Sequence, residues 1–463
     1  MQTHIFLHGF GQRYNLPIPL SIYIFAAAGV VLISFVLVVL FASSQRGDEA
    51  THYPRIEAPW LASLAKSRGL RGVGGLIGVL GLVTVVTTGL FGAQDPLRNP
   101  SAYLVWIYLW VALVMVSALF GNLWTYLNPF AALYDFADRA LKLPPRKASL
   151  PERLGIWPAA VLFFGIAWLE LASGKASTPA VVGGLALAYS VFTLAGMVIF
   201  GRADWLNRCE PFTVLFGIAS RFSPVEVERD ERGAVTKAYL RPWGVGLLRP
   251  VQASWDVIVF VILMLSNLAF DGLEATPLWF NLIGSQPSLA TALGVWWRPV
   301  VYTAGLLAVA LIFVLVFVGC TRLVLALGKG KIDPLAVTSS FALTLVPIAL
   351  AYDLAHNYTY LVIEGQAFIP TLADPFAKGW SLLPVQNYQP NLALTSPETV
   401  WLLQVLLIVL GHVIAVYLAH FRASQWFRSS YRVLMSQYPM LALMVLYTMT
   451  SLWILAQPIT SGG

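Results

Sequence analysis

The sequence predicts an all-α, polytopic membrane protein: a bundle of about ten transmembrane helices. Of its 463 residues, 58% are hydrophobic and only 11% are charged, whereas soluble domains carry about 25% charged residues. The apolar residues are gathered into segments of about 20 residues, the length that crosses the hydrocarbon core of a bilayer. Together these observations exclude an ordinary soluble enzyme, a disordered chain and a nucleic-acid-binding protein, and they make the lipid bilayer the first partner.

Ten segments are long and apolar enough to cross the membrane. We place them at residues 20–43, 72–93, 101–121, 157–173, 179–200, 252–270, 299–327, 336–364, 399–421 and 439–457. The segment 277–297 is also apolar, but proline, glycine and polar residues interrupt it. We therefore predict that it is a loop on the membrane surface.

The basic residues predict the orientation. With ten spans and an outer N-terminus, 24 of the 29 Lys and Arg residues lie in inner loops and 5 lie outside. Because cytoplasmic loops carry the excess of Lys and Arg, both termini are predicted to be outside, in the periplasm of a bacterium. The predicted location is the bacterial inner membrane.

The chain is predicted to form a single transmembrane domain, 20–463, after a periplasmic segment, 1–19. The first apolar segment is too long, and its flank too poor in basic residues, for a cleaved signal peptide. The periplasmic loops are 271–298 and 365–398. A polar cytoplasmic insert, 225–249, alternates around Arg232 and Gly233, which predicts a β-hairpin with a solvated charged face.

An internal parallel repeat covers 101–142 and 179–222. Both copies have Phe-Gly, then a tryptophan, then a Pro-Phe pair preceded by Asn128 or Glu210. A side chain that accepts a hydrogen bond, followed by proline, is typical of a helix start. We interpret 128–142 and 210–222 as amphipathic helices on the cytoplasmic surface. The alternative is a pair of re-entrant half-helices whose N-termini face an anion.

Ionisable residues concentrate on two consecutive predicted spans. The eighth carries Asp353, His356, Tyr360 and Glu364 at every third or fourth position, which places them on one helix face. The ninth carries Gln404, His412 and His420, again nearly on one face. Because ionisable groups inside a membrane are costly, they indicate a functional site. The alternative is a polar pair that only holds helices together.

We predict a divalent metal site, for zinc or a similar ion, near the periplasmic face. The candidate ligands are His8, His356 and His412, since imidazole and carboxylate groups suit such metals. The candidate catalytic residues are Asp353, His356 and Glu364, with Glu364 transferring a proton to the leaving group. His356 and His412 lie at different depths by helical rise, which disfavours a haem held by both histidines without excluding it.

The sequence resembles a bacterial family of inner-membrane proteins known as fenitrothion hydrolases. The resemblance spans nearly the whole chain. It is carried by HGFGQRYNLPIPL from His8, by the two Pro-Phe repeats, by AYDLAHNY from Ala351, by DPFAKGW from Asp374 and by GHVIAVYLAH from Gly411. The family name implies hydrolysis of an aryl phosphotriester, a reaction that suits a metal-bound hydroxide. The family offers no motif that assigns catalytic residues.

Three classes of function therefore stay open. The first is an organophosphorus ester hydrolase that acts on a small-molecule substrate with metal assistance. The second is a transporter for a small solute or ion, although the repeated spans 101–121 and 179–200 carry no charge. The third is a metal- or haem-binding subunit of a respiratory assembly.

Overall fold

The structure is a computed structural model. It describes residues 16–41, 53–143, 148–230, 234–250, 252–329, 332–427 and 429–457. Within these residues, ten helices are long and apolar enough to cross a membrane. The prediction of an all-α polytopic bundle is thereby confirmed.

The helices of the described residues follow the predicted spans closely. In chain order they are α1 (Leu20–Phe41), α2 (Pro59–Lys66), α3 (Arg68–Phe91), α4 (Pro100–Ala102), α5 (Leu113–Phe120), α6 (Trp124–Leu127), α7 (Pro129–Leu141), α8 (Trp157–Leu171), α9 (Pro179–Phe200), α10 (Arg202–Arg208), α11 (Pro211–Ala219), α12 (Trp255–Glu274), α13 (Pro277–Gly284), α14 (Pro287–Leu293), α15 (Trp297–Gly328), α16 (Pro334–Ala342), α17 (Val346–Val362), α18 (Phe368–Thr371), α19 (Pro397–Trp426) and α20 (Ser430–Ala456). A π-helical segment, Tyr103–Ala112, joins α4 to α5.

The last predicted span is too short, and one predicted loop is helical. The last span begins at Ser430 instead of 439, because the helix continues through Pro439. The segment 277–297 contains the short helices α13 and α14 where a loop was predicted. Each of these helices begins with a proline at its first turn, so the prolines that interrupt the apolar run start helices there.

A small antiparallel sheet forms from β1 (Ile56–Glu57), β2 (Val225–Arg229) and β3 (Val235–Leu240), in the order β1-β3-β2. This confirms the predicted hairpin. The expectation that its charges form a solvated face is wrong for Glu226, which is buried and lies 2.6 Å from both Arg241 and Arg55. Four membrane spans lie between β1 and β2 in the chain. Because this number is even, both strands are on the same side of the membrane, as their pairing with β3 requires.

The described residues divide into two compact units. Unit 1 contains Arg55–Pro242 and Tyr360–Leu394, and unit 2 contains the described parts of Leu7–Pro54, Trp243–Thr359 and Thr395–Gly463. In unit 1, α3 packs against α6, α7 and α9; in unit 2, α20 packs against α1, α15 and α19. The prediction of one transmembrane domain, 20–463, does not distinguish these units. The order of the spans along the chain does not reveal which helices pack together.

Unit 1 contains both copies of the repeat. Each copy has a spanning helix that ends at a glycine with positive φ: Gly121 at 103° and Gly201 at 92°. Such a backbone is easily adopted only by glycine. A short helix follows, and then a helix whose first backbone N–H groups donate to the side chain of Asn128 or Glu210. The predicted caps are therefore confirmed.

The two capped helices differ in burial. In α7, Phe136 and Leu141 are exposed, as in an amphipathic helix. In α11, every residue except Thr213 and Gly217 is buried. The interpretation as a surface helix is therefore wrong for the second copy, because nine residues without a charge leave α11 no polar face to turn outward.

Thiol labelling tests the orientation. We expect a membrane-impermeant reagent added to intact cells to modify Gln386→Cys, in the predicted periplasmic loop, and not Thr236→Cys, in the predicted cytoplasmic sheet. Both positions are exposed. Background labelling is expected to be small because Cys209 and Cys320 are buried, and burial raises the pKa of Cys209 to about 11. The reverse labelling pattern would show that the orientation is inverted.

Candidate functional site

Several ionisable side chains of α12 and α17 lie close together in unit 2. His356 Nε2 of α17 lies 2.9 Å from Asp271 Oδ2 of α12, and the two side chains are 8% and 16% exposed. Asp353 lies on the same face of α17, is buried, and accepts a hydrogen bond of 2.9 Å from Asn357 Nδ2. The charges of His356 and Asp271 both act on Asp353.

A third carboxylate lies one turn further along α12. Glu274 is buried, and its charge interacts with those of Asp271 and Arg298. Its Oε2 atom has no hydrogen-bond partner among the described residues. We call Asp271, Glu274, Asp353 and His356 the acid cluster.

Tyr352 packs the acid cluster against α12. Its ring is stacked on the imidazole of His356, with centroids 5.9 Å apart and planes at 15°. A Cβ atom placed on Gly272 would lie 2.5 Å from the Tyr352 hydroxyl oxygen. Glycine at 272 therefore lets the tyrosine, and with it the imidazole, approach the backbone beside Asp271.

The composition of the acid cluster limits its charge. Two buried carboxylates, Asp353 and Glu274, and the largely buried Asp271 lie near one imidazole, and like charges that are close together in a low-dielectric site are disfavoured. The arrangement is therefore suited to holding a proton that can be exchanged.

The other predicted site residues do not belong to the acid cluster. Glu364 belongs to unit 1, where it starts the turn Glu364–Ala367 and its charge acts on Tyr103. Partial burial raises the pKa of Glu364. His412 is fully buried on α19, with Nδ1 2.8 Å from the carbonyl oxygen of Ile408. His8 lies outside the described residues.

The predicted metal site stays a prediction, because its candidate ligand His8 lies outside the described residues. Within them, no group of three or more His, Cys, Asp or Glu side chains is arranged to hold a metal ion. His356 Nε2, the expected ligand atom, instead faces Asp271. The three carboxylates and the imidazole fit a shared proton better than a coordinated ion, so we derive no step through a metal.

Sequence reasoning missed Asp271 and Glu274. With Asn267 they recur every three or four residues, which places all three on one face of α12. The predicted sixth span ends at 270, which leaves both acids in the predicted outer loop 271–298. The helical spacing of Asn267, Asp271 and Glu274 could have identified them as part of the span. The low hydropathy of these residues instead ended the predicted span before Asp271.

Comparison with known proteins adds no constraint. No family model, curated protein or solved structure matches the chain. Function therefore has to be inferred from the acid cluster and its surroundings.

Proposed function

We propose that the protein translocates protons across the membrane, with the acid cluster as the site where a proton is bound during transfer. The observation that carries this proposal is the Asp271–His356 pair, 2.9 Å apart and largely buried, together with two further buried carboxylates. Two separate spanning helices supply these groups.

The chemistry of the residues supports a proton as the transported ion. Histidine changes charge near neutral pH, and a buried carboxylate that is near others favours sharing a proton. Ionisable groups within membrane spans mark ion pathways and proton relays. The repeated spans 101–121 and 179–200 carry no charge, which is an argument against transport through them. They belong to unit 1, whereas the acid cluster is in unit 2, so this argument does not apply to the acid cluster.

The geometry also links protonation to the packing of two helices. A proton on Asp271 removes the charge that attracts protonated His356, and this weakens the contact between α12 and α17. A transfer cycle can therefore alternate between a paired state and a separated state, each stabilised by a different protonation state.

Hydrolysis of an organophosphorus ester is the second candidate function. It is favoured by the same pair, because a carboxylate that holds an imidazole in place is a common arrangement for a general base. In this proposal Asp271 orients His356, and His356 takes a proton from the water that attacks phosphorus. The resemblance to fenitrothion hydrolases names the substrate class.

Proton flux into liposomes tests the proposal. The purified protein is reconstituted, a potassium diffusion potential is imposed, and the internal pH is followed with a trapped dye. We expect the wild-type protein to give a flux above that of protein-free liposomes. In Asp271→Asn the flux is expected to fall at least about tenfold, which corresponds to an increase of ~1.4 kcal/mol or more in the activation free energy. The matched control is Glu398→Gln, which neutralises an exposed acid in the first turn of α19.

Two results would contradict proton translocation. One is wild-type flux no greater than that of empty liposomes, and the other is full flux in Asp271→Asn. Turnover of fenitrothion by the solubilised wild-type protein, lost in His356→Gln and retained in Glu398→Gln, would instead support the hydrolase.

A further inference from the structure

A short helix at the start of unit 1 turns its large apolar side chains outward. In α2, Ala62 and Ala65 are buried, whereas Trp60 and Leu64 are 63% and 50% exposed. Trp60 and Leu64 are four residues apart, so they lie on one face of the helix. An amphipathic helix on the surface of a soluble domain has the opposite arrangement, with its large apolar residues facing the core.

The inward face of α2 is held by the three-stranded sheet. α2 packs against β3. The backbone N–H of Ala58, the residue before α2, donates to the carbonyl oxygen of Ala238 in β3, 2.8 Å away. Because the two buried alanines face the protein, the sheet fixes which face of α2 is left outward.

The position of α2 in the chain brings it to the membrane boundary. α2 ends at Lys66, and the candidate membrane span α3 begins at Arg68. Ser67 separates the two helices and caps α3, because its hydroxyl oxygen accepts a hydrogen bond from the backbone N–H of Leu70. α2 has eight residues, too few to cross the hydrocarbon core. It therefore belongs beside the membrane surface and is not a span.

Three exposed basic residues lie where α2 meets α3: Lys66, Arg68 and Arg71. The sequence between 58 and 94 contains no Asp or Glu. Lys66 Nζ and Arg71 Nη2 donate to the backbone carbonyl oxygens of Thr236 and Ala65, each 3.2 Å away. A carbonyl oxygen has no formal charge, so these contacts position two cations without neutralising them.

We propose that this part of unit 1 binds acidic phospholipids at the membrane boundary. The binding residues are Trp60, Leu64, Lys66, Arg68 and Arg71, which we call the α2 surface. Its two apolar side chains lie among the lipid headgroups, and its three cations bind their phosphates. The proposal does not depend on proton translocation.

The two kinds of side chain identify the partner together. Trp60 and Leu64 favour a lipid over a soluble anion, because a helix in the interface buries its apolar face at the headgroup boundary and tryptophan is enriched there. The cations favour an acidic lipid, since basic residues beside a membrane are attracted to an anionic leaflet. The exposed apolar face and the uncompensated charge are thus satisfied by one partner.

Fluorescence quenching tests whether the apolar face contacts the bilayer. The full chain with Leu64→Cys is labelled with bimane and reconstituted into vesicles of phosphatidylcholine and phosphatidylglycerol. Quenching by brominated phospholipid is compared with quenching by aqueous iodide. The control is Thr236→Cys, at an exposed position of the sheet. Cys209 and Cys320 are buried, so background labelling is expected to be small.

Native mass spectrometry tests the selectivity for acidic lipid. The full chain in detergent micelles is titrated with dioleoylphosphatidylglycerol or dioleoylphosphatidylcholine. The test variant is Arg68→Gln with Arg71→Gln. The matched control is Arg98→Gln with Lys175→Gln, which removes the same charge from two other exposed positions of unit 1. Lys66 is left unchanged because it also bonds to the sheet.

We expect lipid to quench the Leu64 label and iodide to quench the Thr236 label. A basic residue beside an acidic membrane contributes about fivefold in affinity. The Arg68 and Arg71 variant is therefore expected to bind phosphatidylglycerol at least about tenfold more weakly. Its affinity for phosphatidylcholine should not change, and the control variant should bind both lipids as the wild-type protein does.

Several outcomes would overturn the proposal. A Leu64 label that iodide quenches and lipid does not would show that α2 faces water. A label shielded from both quenchers also overturns it, and a mass of two chains in the micelle would then identify a second copy as the cover. Unchanged phosphatidylglycerol affinity in the Arg68 and Arg71 variant, or an equal loss in the control, overturns the role of the cations. Absence of proton flux in the wild-type protein would contradict only the proposed function.

Discussion

Asp271→Ala is expected to destabilise the protein by about 3 kcal/mol, because removal of one member of a largely buried ion pair leaves the other without its counter-charge. His356 would lose the carboxylate 2.9 Å from its Nε2 atom. Unfolding in mixed micelles, followed by circular dichroism, measures the change. Proton flux should be lost in the same variant.

A double-mutant cycle separates the pair from the individual residues. We expect Asp271→Asn with His356→Gln to cost at least about 1 kcal/mol less than the sum of the two single changes, because the partners interact directly. Flux should not return, since neither amide exchanges a proton. Additive costs would show that the two side chains do not stabilise each other.

Glu210→Ala is expected to have an effect of similar size in unit 1. The buried carboxylate accepts hydrogen bonds from Trp124 Nε1 at 3.1 Å, from the Tyr189 hydroxyl at 2.6 Å and from the backbone N–H groups of Phe212 and Thr213, as well as from the Thr213 hydroxyl. Alanine leaves several buried donors unsatisfied, each worth about 1–3 kcal/mol. Thermal unfolding in detergent, or loss of folded protein on expression, measures the cost.

Asn128→Ala is the matched control, because Asn128 occupies the same position in the other copy and caps only one N–H group, that of Ala131. The expected cost is about 1 kcal/mol. Equal losses in the two variants would mean that the extra contacts of Glu210 contribute nothing.

The pH dependence of stability gives a second signature of Glu210. Burial raises its pKa above the ordinary 4.5, although its hydrogen bonds oppose the shift. The folded state then binds more protons than the unfolded state, so this residue makes stability fall as pH rises from about 4.5 through the raised pKa. Glu210→Gln should flatten that slope. An unchanged slope would contradict a raised pKa.

The sequence predicted the spans well because hydropathy and length are local properties. It also placed Asp353 and His356 on one helix face, since a helical period can be read directly from the chain. The partner of His356 could not be found in this way. Asp271 lies on another helix, and the choice of partner depends on packing, which no local pattern reveals.

Similarity between the two repeats was likewise a partial guide. Their caps were predicted correctly from Asn128 and Glu210, because capping is decided within one turn of helix. The burial of α11 was not predicted. That burial comes from packing against other helices, chiefly α5 and α8, and no local pattern predicts such packing.

The three-stranded sheet has a consequence for biogenesis. Chains are synthesised from the N-terminus, so β1 emerges long before β3, with which it pairs through Ile56 and Leu240. During that interval four spans must enter the membrane. If one of them failed to insert, the two strands would be left on opposite sides and could not meet. Strand pairing therefore acts as a late check on the topology of the nascent chain.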